Sequence, residues 1–162
     1  MNTIIIDGNN LLHKIPSFKK NFSANPDNVR KSLVEAVRGR VRSNVKIIFV
    51  FDGHSDERTQ NVIYSGSKTA DSVIRKYIED NHEKNSLKVV SSDNEITALA
   101  KVCGCKISSS EKFWNDINSN SPAKGKNINQ RYIYDRAEDK ESKEKPAGTS
   151  RKDFNEYLKH FT

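Results

Sequence analysis

Apolar residues occur in two patterns that alternate along this chain. In the first, short and nearly continuous apolar runs occupy residues 4–6, 46–51 and 87–90. Such runs are typical of strands that are buried on both faces of a parallel sheet. In the second, apolar residues recur at the spacing of an amphipathic helix. The alternation predicts an α/β fold with a parallel sheet of about four to five strands flanked by helices.

Local signals predict where the helices begin and end. Asn25 is an N-cap candidate and Pro26 fits the first helical position of a helix whose apolar stripe runs to about residue 41. Ser67 or Thr69 begins a second helix that reaches about residue 82. A third helix follows residue 93, and Gly104 is its natural C-cap.

The remaining elements are predicted from weaker signals. Residues 13–22 are polar, basic and interrupted by Pro16, so we expect a loop with at most a short helical turn. Residues 62–64 form a short extended piece, and residues 105–107 form a fourth strand. Ser108 and Glu111 have the capping-box spacing at the start of a helix that carries Phe113, Trp114 and Ile117.

The composition changes after residue 118 to Asn, Ser, Lys and Gly. We expect one domain over residues 1–118 and a basic, partly mobile extension over residues 119–149, in which residues 129–134 form an edge strand or hairpin. Residues 150–162 predict an amphipathic helix that docks on the domain, with a partner's groove as the alternative. Its apolar face is formed by Phe154, Tyr157, Leu158 and Phe161.

The charge of the chain favours a polyanionic partner. Of its 162 residues 30% are charged and 34% are hydrophobic, and the net charge is +7. No apolar segment approaches the roughly 20 residues that cross a bilayer, so we expect a soluble, cytoplasmic protein without a membrane partner. The two cysteines, Cys103 and Cys105, support neither a disulfide framework nor structural zinc.

Acidic residues follow three of the predicted strands. These are Asp7, Asp52 and Asp93, and Asp71 lies in the first turn of the helix before the third strand. In an open α/β sheet ligands bind outside the carboxyl ends of the strands. If those ends are neighbours, acids about 5 Å apart repel by roughly 3 kcal/mol at an effective dielectric constant of 20. A divalent cation would turn the repulsion into binding, and oxygen-only ligands favour Mg²⁺ or Mn²⁺.

Each of these residues also has an ordinary interpretation. Asp7, Gly8 and Asn9 can form a simple polar turn, in which Asn9 or Asn10 caps the next helical turn. Asp71 can merely complement the helix dipole. We interpret His54, which follows Asp52 and Gly53, as a surface histidine.

Four short motifs together resemble the YacP-like group of NYN domains within the PIN-like nuclease superfamily. The resemblance extends from about residue 3 to residue 117. The motifs are Asp7-Gly8-Asn9-Asn10, Phe51-Asp52-Gly53, Thr69-Ala70-Asp71 and Ser91-Ser92-Asp93.

This resemblance implies a Rossmann-like (PIN/NYN-like) fold and an Mg²⁺- or Mn²⁺-dependent endoribonuclease. In the YacP-like group it further implies cleavage of mRNA in association with the ribosome. The positions implied to be catalytic and metal-binding are Asp7, Asp52, Asp71 and Asp93. Asn9 or Asn10 takes the polar position that orients a ligand or a phosphate.

The sequence departs from the family pattern at two positions. Ser72 stands where a second acid commonly follows Asp71, and Asn94 stands where a basic residue is usual after Asp93. One ligand of a second metal is then missing, which would weaken catalysis more than binding. We favour a monomer.

Two other functions are compatible with parts of this pattern. One is a catalytically weak module of the same fold that binds RNA or the ribosome. The other is a phosphatase or phosphotransferase of another acidic α/β class. A haloacid-dehalogenase-type enzyme needs a second aspartate where this chain has Asn9, and the chain has no P-loop motif.

Overall fold

The structure, a computed structural model, describes residues 2–83 and 86–119. Within these residues it contains five strands and six helices. The elements, in chain order, are β1 (Asn2–Asp7), α1 (Gly8–Lys14), α2 (Pro16–Phe22), α3 (Pro26–Arg38), β2 (Lys46–Phe51), β3 (Val62–Tyr64), α4 (Ala70–Asn81), β4 (Ser86–Val90), α5 (Asn94–Val102), β5 (Lys106–Ser108) and α6 (Ser110–Ser119).

The five strands form one parallel sheet in the order β3-β2-β1-β4-β5, which confirms the predicted α/β fold. Strand β1 is central because β2 and β4 pair with its two edges. After β1 the chain builds the β2-β3 side, and it then crosses to the other side for β4 and β5. The order of the strands therefore reverses beside β1, the position at which open α/β sheets bind ligands.

Side chains of alternate strand residues enter two separate cores. Ile4 and Ile6 of β1 pack in one core with α1, α3 and α6, whereas Ile5 packs in the other with α4 and α5. All three isoleucines are fully buried. Burial on both faces explains why the strand sequences lack polar alternation.

The loop predicted for residues 13–22 is wrong, because the structure has the last two residues of α1 and all of α2 there. Pro16 occupies the start of α2, where its missing N–H costs nothing, so it begins a helix instead of interrupting one. Ile15, between the two helices, is buried in the core, and Phe18 packs edge-on against Trp114 at 5.8 Å between ring centroids. These apolar contacts hold the short helices in place.

The predicted caps were mostly confirmed. Asn25 and Thr69 cap α3 and α4 with their side chains, and Gly104 follows α5 with φ +71°. The capping residue of α6 was wrong by one position: the Ser109 hydroxyl accepts a hydrogen bond from the Lys112 N–H at 3.2 Å. The last strand likewise lies one residue later than predicted.

Basic residues of α3 hold the connection between β2 and β3, which runs over residues 52–61 without a helix. Arg30 donates to the Asp52 carbonyl oxygen at 3.3 Å, and Arg38 donates to the Gln60 carbonyl oxygen. Lys31 forms an ion pair with Glu57 between these two points. Part of the basic face of α3 is therefore engaged within the protein.

Predictions for residues 120–162, including the edge strand, the mobile segment and the docking helix, lie outside the described residues. Among the helices of the described part, none is long and apolar enough to cross a membrane.

Candidate active site at the carboxyl edge of the sheet

The strand register brings three of the predicted acids to one edge of the sheet. Asp7 ends β1 and is paired with Val50, so Asp52 follows two residues beyond its neighbour on β2. On the other side, Ile6 is paired with Val90, and the segment that leads to Asp93 follows. Asp52 and Asp93 thus flank Asp7.

Asp7 is the buried member of this group, with 6% of its surface exposed. Its Oδ1 accepts a hydrogen bond from the Asn10 N–H at 2.9 Å, and its Oδ2 accepts one from the Ser91 hydroxyl at 3.3 Å. Asp7 is itself the N-cap of α1, so the prediction that Asn9 or Asn10 caps this helix was wrong. Because Asp7 ends a strand and caps a helix, the elements on both sides of it in the chain fix the position of its carboxylate.

Asp52 and Asp93 are anchored in the same way. Asp52 is exposed, and its Oδ1 accepts a hydrogen bond from the Ala70 N–H of α4 at 2.7 Å. Asp93 caps α5, and its Oδ1 accepts from the Glu95 and Ile96 N–H groups at 2.8 and 3.1 Å. Three carboxylates therefore each meet a helix N-terminus, whose partial positive charge stabilises them.

The carboxylates also act on one another electrostatically. The pKa of Asp7 is raised to about 6; burial is the largest cause and the charges of Asp71 and Asp52 also raise it, whereas hydrogen bonds from Asn10 and Ser91 lower it. The group is therefore far less acidic than an exposed aspartate.

Asp71 is the fourth acid, at the start of α4, and its pKa is raised as well. Burial is the largest cause, followed by the charges of Asp93 and Asp52, while Arg75 one turn later opposes them. The structure thus brings the four predicted acids into one electrostatic group. This convergence is costly without a compensating positive charge.

Oxygen donors suited to a hard cation are present at this edge. The Asn9 Nδ2 donates to Asp52 Oδ2 at 2.5 Å, while its Oδ1 is buried and accepts no hydrogen bond. Among the described residues, no three Asp, Glu, His or Cys side chains lie close enough together to hold an ion by themselves. Mg²⁺ usually keeps several waters and takes one or two carboxylates directly, so this donor set fits it.

The two asparagines of the first motif have different surroundings. Asn9 donates to Asp52, whereas Asn10 Oδ1 accepts from the Ser92 N–H at 3.2 Å and the Ser110 hydroxyl at 2.8 Å. Glu111 extends this second network, accepting from the Ser92 hydroxyl at 2.8 Å. Asn10 therefore links α1 to α6 and to the loop after β4.

Sequence reasoning missed several residues that border the acids. Ser91 was named only as part of a motif and was given no role, and Ser110 was not identified, since serines carry no distinctive spacing. Arg75 forms an ion pair with Glu95 across α4 and α5, and its Nε is buried without a hydrogen-bond acceptor. The only sequence signal for this pair is that two residues of opposite charge lie on two neighbouring predicted helices.

Arg30 lies beside the acids on the α3 side. Its guanidinium carbon lies 5.5 to 5.7 Å from the ring centroids of Phe22, Phe51 and Tyr64, while the side chain holds the Asp52 carbonyl oxygen. It thereby fixes the backbone from which Asp52 projects. His54 is exposed, as its interpretation as a surface residue predicts.

The residues at the two departures from the family pattern do not replace the missing groups. Ser72 is exposed, and its hydroxyl donates to the Thr69 carbonyl oxygen at 2.8 Å, within the first turn of α4. Asn94 is exposed at the start of α5.

Comparisons with known proteins identify similar sequences and folds. The sequence profile of the family described as YacP-like NYN domain matches residues 4–159. A crystal structure of Rae1 (YacP) from Bacillus subtilis, a tryptophan-to-leucine mutant, is 22% identical, with a TM-score of 0.62 over 74% of this chain and 76% of that one. A second crystal structure of Rae1 from the same organism is 21% identical, with a TM-score of 0.59 over 74% and 75% of the two chains. At these identities the structures establish the fold. No curated protein sequence matches the chain.

Proposed function

The chain belongs to the YacP-like NYN domain family, a family of PIN-like nucleases, and from this premise we propose that it is a metal-dependent endoribonuclease. Its substrate on this proposal is RNA, specifically mRNA in association with the ribosome. Asp7, Asp52, Asp71 and Asp93 form the catalytic and metal-binding group. The metal is Mg²⁺ or Mn²⁺.

One observation carries this proposal. Asp7, buried at the switch point of the sheet, has its pKa raised to about 6 by burial and by the charges of other acids. A protein that needed Asp7 only as a helix cap would be served equally well by Asn or Ser, which carry no charge. The convergence of charged acids is therefore better explained by a cation that binds between them.

On this proposal the four acids hold that cation in two different ways. Asp7 and Asp71 are partly or fully buried and have raised pKa values, to which the charges of other acids contribute, so they are the direct ligands on this proposal. Asp52 and Asp93 are held by the N–H groups of α4 and α5 and act through water. A bound divalent cation stabilises the charge that develops on a phosphodiester during in-line attack.

Asn9 supports this arrangement from the side of α1. Its Nδ2 orients Asp52 Oδ2, and its buried Oδ1 is an acceptor that a water of the cation's hydration shell can satisfy. Asn10, whose oxygen already accepts two hydrogen bonds, keeps α1 in register with α6.

The proposal is tested by comparing wild-type protein with Asp7→Asn on free RNA and on translating ribosomes. Asn keeps the size and the capping hydrogen bond but removes the charge, so the fold survives and cleavage is lost. Asp80→Asn, at an exposed position of α4, is the matched control and retains activity. Cleavage that is equal in wild-type and Asp7→Asn protein contradicts the proposal.

A catalytically weak RNA- or ribosome-binding module is the second candidate. It is favoured by the use of Asp7, Asp52 and Asp93 as acceptors for helix N–H groups, which gives each acid a structural role. The same assay separates the two functions. A binding module retains RNA affinity in both proteins, and neither cleaves RNA with Mg²⁺ or with Mn²⁺.

A further inference from the structure

A basic cleft lies at the opposite edge of the sheet from the acids. It is open to solvent and has a volume of about 330 Å³ between the end of α3, the start of β2 and the residues that lead into β3. This volume is in the range of small-molecule sites. The β2 strand separates the cleft from Asp52, and its six residues span roughly 20 Å at about 3.3 Å per residue.

Three cationic side chains line this cleft: Arg38, Arg42 and Lys46. Each is half-buried, in contrast to Arg40 and Lys31 nearby, which are exposed. Among the described residues that line the cleft, none is Asp or Glu. Half-buried cations have lost part of their hydration, so a phosphate that enters the cleft meets charges that water solvates incompletely, whereas cations of an ordinary solvated surface extend into water.

The backbone around the cleft is held in a fixed shape. The Arg38 guanidinium donates to the Gln60 carbonyl oxygen, which limits where its remaining N–H groups point. Asn61 has a left-handed backbone with φ 58°, and its carbonyl oxygen accepts from the Phe49 N–H at 2.9 Å. The cations therefore lie along an open cleft whose backbone is fixed.

We propose that the basic cleft is a second RNA-binding site that takes a backbone phosphate several nucleotides away from the cleaved bond. Two guanidinium groups and an ammonium are suited to phosphate oxygens, because guanidinium donates in a fork that matches them. This inference rests on the proposed function for the identity of the polymer. It adds a length requirement, since a short RNA cannot reach both edges of the sheet.

The test measures binding of full-length protein to two RNAs. One has about 12 nucleotides, which is within the range of single-strand site sizes, and the other is a trinucleotide. Lys46→Glu is expected to weaken binding of the longer RNA at least about fivefold and to lower the slope of log affinity against log salt by about one. Binding of the trinucleotide should be unaffected. Lys101→Glu, an equal charge change at an exposed position of α5, is the control and changes affinity less than about twofold. Arg42→Gln provides a second variant if Lys46→Glu does not fold.

The outcomes separate this inference from the proposed function. Equal weakening by Lys46→Glu and Lys101→Glu, or weakening that is the same for both RNA lengths, overturns the second site while cleavage by wild-type protein can persist. Binding that depends on Lys46 supports the second site even if no RNA is cleaved. Inorganic phosphate is the final probe: if it displaces the longer RNA at concentrations comparable to those of RNA itself, the cleft binds small anions and the inference is wrong.

Discussion

Asp7 has a structural role in the fold, and the proposed function adds a chemical role for the same side chain. It ends the central strand, caps α1 and lies in a buried position where its negative charge is unfavourable. Its raised pKa has burial as the largest cause. The charge should therefore lower the stability of the metal-free protein, and stability measurements can detect this.

We predict that metal-free wild-type protein loses stability as the pH rises from 3.8, the ordinary pKa, to about 6, the pKa in the folded protein. Because the folded state holds this proton more tightly than the unfolded state, the contribution of Asp7 is greatest below the lower value. It is lost as the pH passes the higher one. The loss is about 3 kcal/mol at 1.36 kcal/mol per pKa unit.

Urea unfolding in a chelating buffer at the two ends of this range measures the effect. The Asp7→Asn protein should lack this component of the pH dependence and should be the more stable of the two near neutral pH. Asp80→Asn serves as the control and should follow the wild type. Parallel pH profiles for Asp7→Asn and wild type would show that Asp7 carries no such penalty.

Gly8 is required by the close approach of α1 to a strand side chain. A Cβ at this position would lie 2.3 Å from Cε1 of Phe51, which is fully buried and cannot move aside. We predict that Gly8→Ala lowers the free energy of unfolding by about 1–3 kcal/mol or more. Gly39→Ala is the matched control, because its Cβ would meet only the Glu35 carbonyl oxygen at 3.4 Å and its φ is −69°. Equal stability of the two variants in urea unfolding would refute this.

Among the elements, α1, α4 and α5 have their N-termini at the same edge of the sheet, and each provides N–H groups to a carboxylate. The site is thus built on rigid helix ends rather than on long loops. Helix α6 is joined to it through Asn10 and Ser110. The two neighbouring asparagines of the first motif should consequently differ in what their removal changes.

We predict that Asn10→Ala lowers stability by about 1–3 kcal/mol, because it leaves two partly buried donors without an acceptor. Asn9→Ala should change stability less but weaken the response of the melting temperature to Mn²⁺. Thermal melting of both variants with and without Mn²⁺ measures the contrast. If the two variants behave alike, the assignment of separate roles to Asn9 and Asn10 is wrong.

How much of the structure was predictable differs between elements for physical reasons. Strands β1, β2 and β4 were predicted because burial on both faces leaves a continuous apolar run in the sequence itself. Helix α2 was missed because Pro16 was interpreted as a helix breaker, although a proline at the first helical position favours a helix. Its stability depends on contacts such as that of Phe18 with Trp114, which local sequence does not reveal.

The candidate site was likewise predictable only in part. The acids were identified because three follow strands whose ends meet. The two hydrogen bonds that Asn10 accepts were not predicted, since their donors lie 82 and 100 residues away in sequence. The fixed positions of Arg30 and Arg38 against the connection after β2 were also hidden, because a basic helix face has the same sequence whether it contacts solvent or backbone.

For the whole molecule, the net charge of +7 and the acidic site have opposite electrostatic effects on RNA. On the proposed function, basic surfaces attract the RNA backbone, whereas the acids repel it unless a cation is bound between them. RNA affinity should therefore survive the loss of Asp7 and depend steeply on salt.

We predict that charge reversal of Lys124, Lys126 and Arg131, which lie outside the described residues, lowers the slope of log affinity against log salt. Each lost phosphate contact reduces the slope by about one. The measurement is RNA binding by the Asp7→Asn protein over a range of salt concentrations, with and without the reversals. An unchanged slope would mean that these residues only contact solvent.

The central claim is that the acids bind the cation that RNA cleavage requires, and the most direct test is the cleavage rate as a function of Mg²⁺ or Mn²⁺ concentration. At saturating RNA, the wild-type rate should be negligible in chelator and should rise to a plateau with metal. Asp71→Asn, which removes a half-buried charge from α4, should need much more metal or reach a far lower plateau, while Asp80→Asn should follow the wild type. Cleavage that persists in chelator, or that responds to metal identically in wild-type and Asp71→Asn protein, would contradict the claim.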